Sequence, residues 1–217
     1  KAQTFLGEDI FSRFAAREFE RLNTPVTNLY GGNGIPLNIT SAVITPNDRT
    51  FISYSDNVPV GDKELSAVYE ASRGADIVLM AASFLPIYAD LKREGAVLVF
   101  DTGWTEGMTM ESMRALLTLA DYFTPNQKEA MRITGEHTPQ AAAKALNRYI
   151  ESPIVKLDKD GCLLMENGRA RIIPPLRDIQ IVDPTGAGDA FLAGLTYGLF
   201  HHAPLETAVR YGNVTGG

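Results

Sequence analysis

Between residues 63 and 100 the chain alternates helical patterns with short, unbroken apolar runs, and this alternation constrains the fold more than any other feature. Helices are expected over 63–73 and 86–93, and the runs at 77–82 and 96–100 contain no polar residue that could face water. A strand that is apolar on both faces needs cover on both, which is the situation of a parallel sheet between two helical layers. The expectation is therefore an α/β fold with a central, mostly parallel sheet flanked by helices.

The flanking segments extend this plan. Phe11, Ala15, Phe19 and Leu22 recur at helical spacing, so 9–22 reads as an amphipathic helix. The runs 40–45 and 50–54, joined by Pro46-Asn47-Asp48-Arg49, read as a hairpin. An isolated hairpin buries little, so the segment 33–58 is expected to serve as a β lid or as a contact between two copies of a homodimer. Helices are expected over 109–120, 126–134 and 139–150, followed by strands over 153–157, 161–165, 170–173 and 179–182. The whole, 1–217, reads as one domain. It opens at Lys1 without a methionine and closes at Gly217 just after a helix-like stretch, 206–214, so N- and C-terminal parts are expected to be missing.

Composition narrows the partners. A hydrophobic share of 45% with 21% charged residues suits a folded domain with a sizeable core. The formal charge of -6 argues against the clustered Lys and Arg that nucleic acid or an anionic membrane would require, leaving a small molecule as the expected partner. The single cysteine, Cys162, lies in an apolar run and is expected to pack in the core. No signal peptide or membrane-length apolar run is seen, so a cytoplasmic location is expected.

The stretch Ile181-Val182-Asp183-Pro184-Thr185-Gly186-Ala187-Gly188-Asp189-Ala190-Phe191 carries the chemistry. A strand runs into a glycine turn and then an apolar helix, whose first N–H groups and positive dipole end form an anion site at the turn. Asp189 in the first helical turn faces that anion. Either it only complements the dipole, or it accepts a proton from an attacking hydroxyl beside a phosphoryl group. A Walker-type loop is excluded by the lack of any Gly-Lys pair, and the dinucleotide fingerprint fails where Phe191 replaces its third glycine. No Gly-x-Ser-x-Gly or His-Glu-x-x-His occurs, and His137, His201 and His202 lack ligand spacing and read as surface residues.

Asp183-Pro184-Thr185-Gly186-Ala187-Gly188-Asp189 resembles the C-terminal signature of PfkB/ribokinase carbohydrate kinases, Asp-Thr-x-Gly-Ala-Gly-Asp or a near variant. Upstream, Asn126-Gln127-Lys128-Glu129 resembles that family's Asn-x-x-Glu element, although alone it reads sooner as a helix cap with a first-turn acid. Val155-Lys156-Leu157-Asp158-Lys159-Asp160-Gly161 is similar to the strand and turn that the family places beside the nucleotide. The resemblance implies a ribokinase-like fold and transfer of the γ-phosphoryl group of ATP to a hydroxymethyl group of a sugar or sugar-like compound. It implies Asp189 as base, an anion hole from Gly186, Ala187 and Gly188, and Mg²⁺ organised through water by Asn126 and Glu129. Lys156, Asp158, Gly161 and Asn213 would lie near ATP, and K⁺ would sit beside Asp183 and Thr185. Lys156 reads equally as a strand residue with a solvated tip. Asp101 and Trp104 suit a sugar pocket, with Trp104 as readily a core residue. Where many sugar kinases carry Asp-Pro-x-x-Arg, this chain has Asp101-Thr102-Gly103-Trp104-Thr105, which speaks against a phosphorylated acceptor; Ser83, where a ribokinase tends to be acidic, speaks against ribose. The alternatives are a nucleoside or vitamin-precursor kinase, or a catalytically silent sugar-binding regulator on the same fold.

Overall fold

The computed structural model describes residues 1–44, 49–103, 107–177 and 183–216. The contacts divide the chain into two compact units, Lys1–Arg73 and Gly74–Gly217.

In the first unit, β1 (Ala2–Thr4) pairs in parallel with β2 (Val26–Asn28), and α1 (Ile10–Arg21) connects them. Asp9 caps α1 by accepting from the Phe11 and Ser12 N–H groups at 2.9 and 3.0 Å, and this sets the start of the helix. The helix is as the periodicity predicts, but its apolar face is only partly covered: Phe11 and Leu22 are exposed, while Ala15 and Phe19 are half-buried. Two strands of three residues make too small a sheet to bury a helix of 12. β3 (Ile39–Ile44) and β4 (Arg49–Tyr54) form the expected hairpin as a separate antiparallel pair, with Val43, Phe51, Ile52 and Tyr54 exposed. Its turn residues 45–48 lie outside the described residues. α2 (Asp62–Ser72) completes the unit.

The second unit holds the main sheet. Its elements are β5 (Ile77–Met80), α3 (Leu85–Arg93), β6 (Val97–Phe100), α4 (Met110–Leu119), β7 (Tyr122–Phe123), α5 (Gln127–Thr134) and α6 (Pro139–Leu146). β8 (Ser152–Lys156), β9 (Cys162–Glu166), β10 (Arg169–Ile173), α7 (Ala187–Phe200) and α8 (Leu205–Gly216) follow. Among the described residues the strand order is β10-β9-β8-β7-β6-β5. β5 through β8 are parallel and β8, β9 and β10 are antiparallel, so the sheet is mixed and mostly parallel at the end that carries the helical crossovers. The strand expected at 179–182 lies outside the described residues.

The unbroken apolar runs of the inner strands behave as expected of strands covered on both faces, whereas β5, last in the strand order among the described residues, leaves Leu79 exposed. Leu98, Val99, Phe123, Ile154, Val155, Leu163 and Leu164 have no accessible surface, although neighbours along a strand point to opposite faces. α6 ends at Leu146, short of the expected 150, because the Asn147 side chain donates to the Ile150 and Glu151 carbonyls and turns the chain toward β8. α7 and α8 cross closely: a Cβ on Gly198 would meet Ala208 at 2.6 Å, and one on Gly212 would meet Phe191 at the same distance. Phe191, Leu195, Ala208 and Val209 from this pair pack on Ile154, Cys162, Leu164 and Ile173, and this cluster anchors the start of α7 against the sheet.

Cys162 is part of that core, as expected. Its thiol donates to Asn213 Oδ1 at 2.9 Å, and burial pushes its pKa up to about 12. At pH 8 its thiolate fraction is on the order of 10⁻⁴. The folded protein is expected to resist an alkylating reagent for hours while the urea-unfolded chain reacts in minutes. Rapid labelling of the native protein would contradict the packing described.

Among the described residues no helix is long and apolar enough to cross a membrane.

Candidate active site

The site is assembled where β6, β7 and β8 end and α5 and α7 begin. In open α/β sheets the crevice outside the carboxyl ends of parallel strands is where loops and helix N-termini converge, and it is the usual ligand position. A cavity of about 400 Å³ opens there, within the roughly 300–1,000 Å³ of small-molecule sites. Asp101, Asn126, Glu129 and Lys156 line one part of it, and Gly186, Gly188 and Asp189 another.

The glycine turn leads into a helix, as its sequence predicts. Gly186 caps α7 in the left-handed region at φ 82°, a backbone that a residue with a Cβ adopts only at a cost. Thr185 N–H donates to Asp183 Oδ1 at 2.9 Å and Ala187 N–H to the Pro184 carbonyl at 3.1 Å, which closes the turn. The first i to i-4 bond of α7 runs from Ala190 N–H to the Gly186 carbonyl at 2.9 Å, so the Gly188 and Asp189 amides, unlike that of Ala187, lie in a first turn that offers them no i to i-4 acceptor within the helix. Asp189 stands in this first turn, exposed, on the cavity wall.

Asn126 and Glu129 form a reciprocal cap on α5. Asn126 Oδ1 accepts from Glu129 N–H at 2.9 Å, and Glu129 Oε2 accepts from Asn126 N–H at 2.8 Å. The cap and the expected metal role are not exclusive. Glu129 is only 5% exposed, and burial raises the pKa of its carboxyl against the stabilising Asn126 N–H. A buried carboxylate that accepts from the backbone and the side chain of Asn126, facing a cavity, still has oxygen lone pairs for a cation or its waters. Among the described residues no cluster of three or more His, Cys, Asp or Glu could hold a metal ion.

Lys156 ends β8, and its N–H donates to the Pro125 carbonyl at 2.9 Å, which ties β8 to the residue before Asn126. Its ammonium does not have a solvated tip. It lies 3.1 and 3.2 Å from the two Asp101 carboxylate oxygens, both side chains being largely buried. Burial raises the Asp101 carboxyl pKa, and Lys156, the Thr124 hydroxyl and the Thr102 N–H pull it back down.

The other sequence-predicted residues stand outside the cavity wall. Asp158 Oδ2 accepts from Gln127 Nε2 at 2.8 Å, joining the β8–β9 turn to α5. Gly161 closes that turn. Asn213 is buried, its amide donating to the Ile173 and Pro174 carbonyls at 3.2 and 2.9 Å, so it holds the chain after β10 against α8. Trp104 lies outside the described residues. Sequence reasoning gave no site role to Leu79, Met80, Val99, Thr102, Gly103 or Leu192, which also line the cavity.

A mixed sheet with helices on both faces and a glycine turn feeding α7 at its ligand-binding edge defines a ribokinase-like α/β fold. Arabidopsis thaliana ribokinase, solved with ribose and ATP, superposes with a TM-score of 0.81 at 21% identity, over 98% of this chain and 73% of its own. Adenosine kinase from Sinorhizobium meliloti superposes at 0.83 and 15%, over 100% and 71%. At the sequence level the chain is 34% identical to cytidine kinase of Thermococcus kodakarensis over 46% of its length and 37% of the relative's. It is 30% identical to 2-dehydro-3-deoxygluconokinase of Bacillus subtilis over 58% and 41%. The alignments thus span about two fifths of the length of these curated relatives. The family model described as pfkB family carbohydrate kinase matches residues 1–217, and the chain belongs to that family.

Proposed function

We propose that the protein is an ATP- and Mg²⁺-dependent kinase that phosphorylates the hydroxymethyl group of a carbohydrate. The observation that carries this reading is the single cavity lined by Asp189, the Gly186 and Gly188 backbone, Lys156, and the Asn126–Glu129 pair. Asp189 takes the proton of the acceptor hydroxyl, and the resulting oxygen attacks the γ-phosphorus. The bond from that phosphorus to the bridging oxygen breaks, and ADP leaves. The amides of the Gly186–Gly188 turn and the Lys156 ammonium face the charge that spreads over the transferring phosphoryl group. Asn126 and Glu129 would hold Mg²⁺ through its water; when bound, it neutralises charge on the phosphates. Asp158, Gly161 and Asn213 act behind this wall, fixing the turn and the end of β10 that border the nucleotide. Asp183 and Thr185 would carry K⁺.

A nucleoside acceptor is the second reading, favoured by the similarity to a cytidine kinase. The exposed apolar residues of the β3–β4 hairpin support the lid reading and, equally, pairing with a second copy.

The test is ATP consumption by the intact protein with Mg²⁺, with and without K⁺, against hexoses, pentoses, sugar acids, sugar phosphates and nucleosides. Turnover with a non-phosphorylated sugar or sugar acid is expected. Turnover confined to nucleosides would replace the first reading by the second, and ATP binding without turnover on any acceptor would point to a silent binding protein.

A further inference from the structure

Lys156 and Asp101 are 55 residues apart in the chain, and the fold makes them the ion pair of the cavity wall. The ammonium has a carboxylate on one side and the glycine turn on the other: a Cβ placed on Gly188 would lie 3.4 Å from Nζ. Phe191, in the first turns of α7, presents its ring 5.9 Å from the same nitrogen. Both Asp101 oxygens are within bonding distance of Nζ, and Oδ1 also accepts from Thr102 N–H at 3.1 Å. Its carboxylate is thereby committed to the lysine and poorly placed to take an acceptor hydroxyl or a proton.

We propose that Asp101 is a positioning residue for phosphoryl transfer: it holds the Lys156 ammonium against the Gly186–Gly188 turn, where that ammonium stabilises the charge of the transferring phosphoryl group. The inference rests on the kinase reading above. A lysine is a point charge on a flexible four-carbon stem, so a fixed anchor is what makes its position reproducible. A donor already in place when charge develops costs no reorganisation at that moment. The carboxylate also compensates a largely buried cation before any phosphate arrives, a state that would otherwise be costly. When a nucleotide enters, the ammonium is shared between Asp101 and the phosphoryl oxygens without changing its place.

The test uses the intact protein, its best acceptor from the panel, and Mg²⁺ with the β,γ-imido analogue of ATP as a binding probe. Lys156→Met is expected to lower kcat by roughly 10²–10³-fold. Asp101→Asn is expected to lower kcat by roughly 10–100-fold, the scale of a misplaced catalytic group. Its affinity for the imido analogue is expected to hold or rise, because the ammonium is no longer shared with a carboxylate. In the Lys156→Met background, Asp101→Asn is expected to change kcat less than about twofold, as for residues acting through one contact. An Asp101→Asn protein that raises KM for the acceptor, with the two substitutions multiplying in the double variant, would overturn the proposal and place Asp101 on the acceptor. An undiminished kcat in Asp101→Asn, with normal analogue binding, would overturn it too. Absence of analogue binding to the unsubstituted protein would instead remove the kinase reading on which it rests. If Asp101→Asn does not fold, Asp101→Glu, which keeps the charge but moves it, is expected to give the same fall in kcat with unchanged analogue affinity, and an unchanged kcat there would be equally fatal.

Discussion

Asp189→Ala is expected to lower kcat by about 10²–10⁴-fold while leaving the protein folded and able to bind ATP. The reason lies in what a carboxylate does at that place. It stands at the positive end of α7, beside amides and an ammonium that favour an anion, and on the wall of the cavity. For the incoming phosphates it is a repulsive neighbour, so its removal helps or leaves unchanged the binding of ATP. On the reading proposed above it is the proton acceptor for the attacking hydroxyl, so its loss is felt in the chemical step. If Asp189 only complemented the helix dipole, the substitution would cost about 0.3–1 kcal/mol of stability and leave turnover near normal. Steady-state rates, nucleotide binding and a melting curve on the same preparation separate these outcomes. Asp189→Asn, which keeps the shape and removes the basicity, is expected to match the alanine variant in rate.

Gly161→Ala is expected to damage the fold strongly. Gly161 lies at φ 84° and ψ -133° in the turn between β8 and β9, a region of backbone space essentially confined to glycine. Its carbonyl accepts from Leu157 N–H at 2.7 Å, which closes the turn. A Cβ would also fall 2.2 Å from the Ile173 carbonyl oxygen and 2.8 Å from Pro175 N. Those are backbone atoms of β10 and the segment after it, and they cannot swing aside as a flexible side chain could. The conformational cost of about 1–3 kcal/mol is thus joined by a displacement of paired strands, for a total of roughly 3 kcal/mol or more. In a chain of this length that corresponds to a loss of about 6–12 °C in Tm. Gly168→Ala is the control. Gly168 lies at φ 72° but has open space where its Cβ would stand, so it should lose only the conformational part, about 1–2 kcal/mol. Similar melting temperatures for the two variants would contradict the crowding at Gly161.

Much of this was legible in the chain because its signals are local. The runs at 77–82 and 96–100 announce strands by lacking any polar residue, and they appear as β5 and β6, although only β6 is largely buried and Leu79 of β5 is exposed. Asn126 and Glu129, three residues apart, announce their own cap. The glycine turn and Asp189 are adjacent in sequence and remain so in space. What the sequence hid is what depends on distant partners. β7 is two residues long, and Tyr122-Phe123 carries no periodicity of its own; it is a strand because β6 and β8 supply its hydrogen bonds. Phe11 and Leu22 have the spacing of a buried face yet are exposed, since spacing says which residues share a face and not what lies opposite. Lys156 read equally as a solvated strand end because nothing within ten residues of it reveals Asp101.

All the charged groups of the cavity wall belong to Gly74–Gly217, and each enters from a different connection: after β6, after β7, at the end of β8 and at the start of α7. Such a layout is a division of labour in an evolutionary sense. Each connection can lengthen or change sequence without uprooting its neighbours, while the phosphate-handling groups remain fixed to a common frame. On the kinase reading, acceptor preference can then change with the connections, and the relatives that this chain resembles are named cytidine kinase, ribokinase and 2-dehydro-3-deoxygluconokinase.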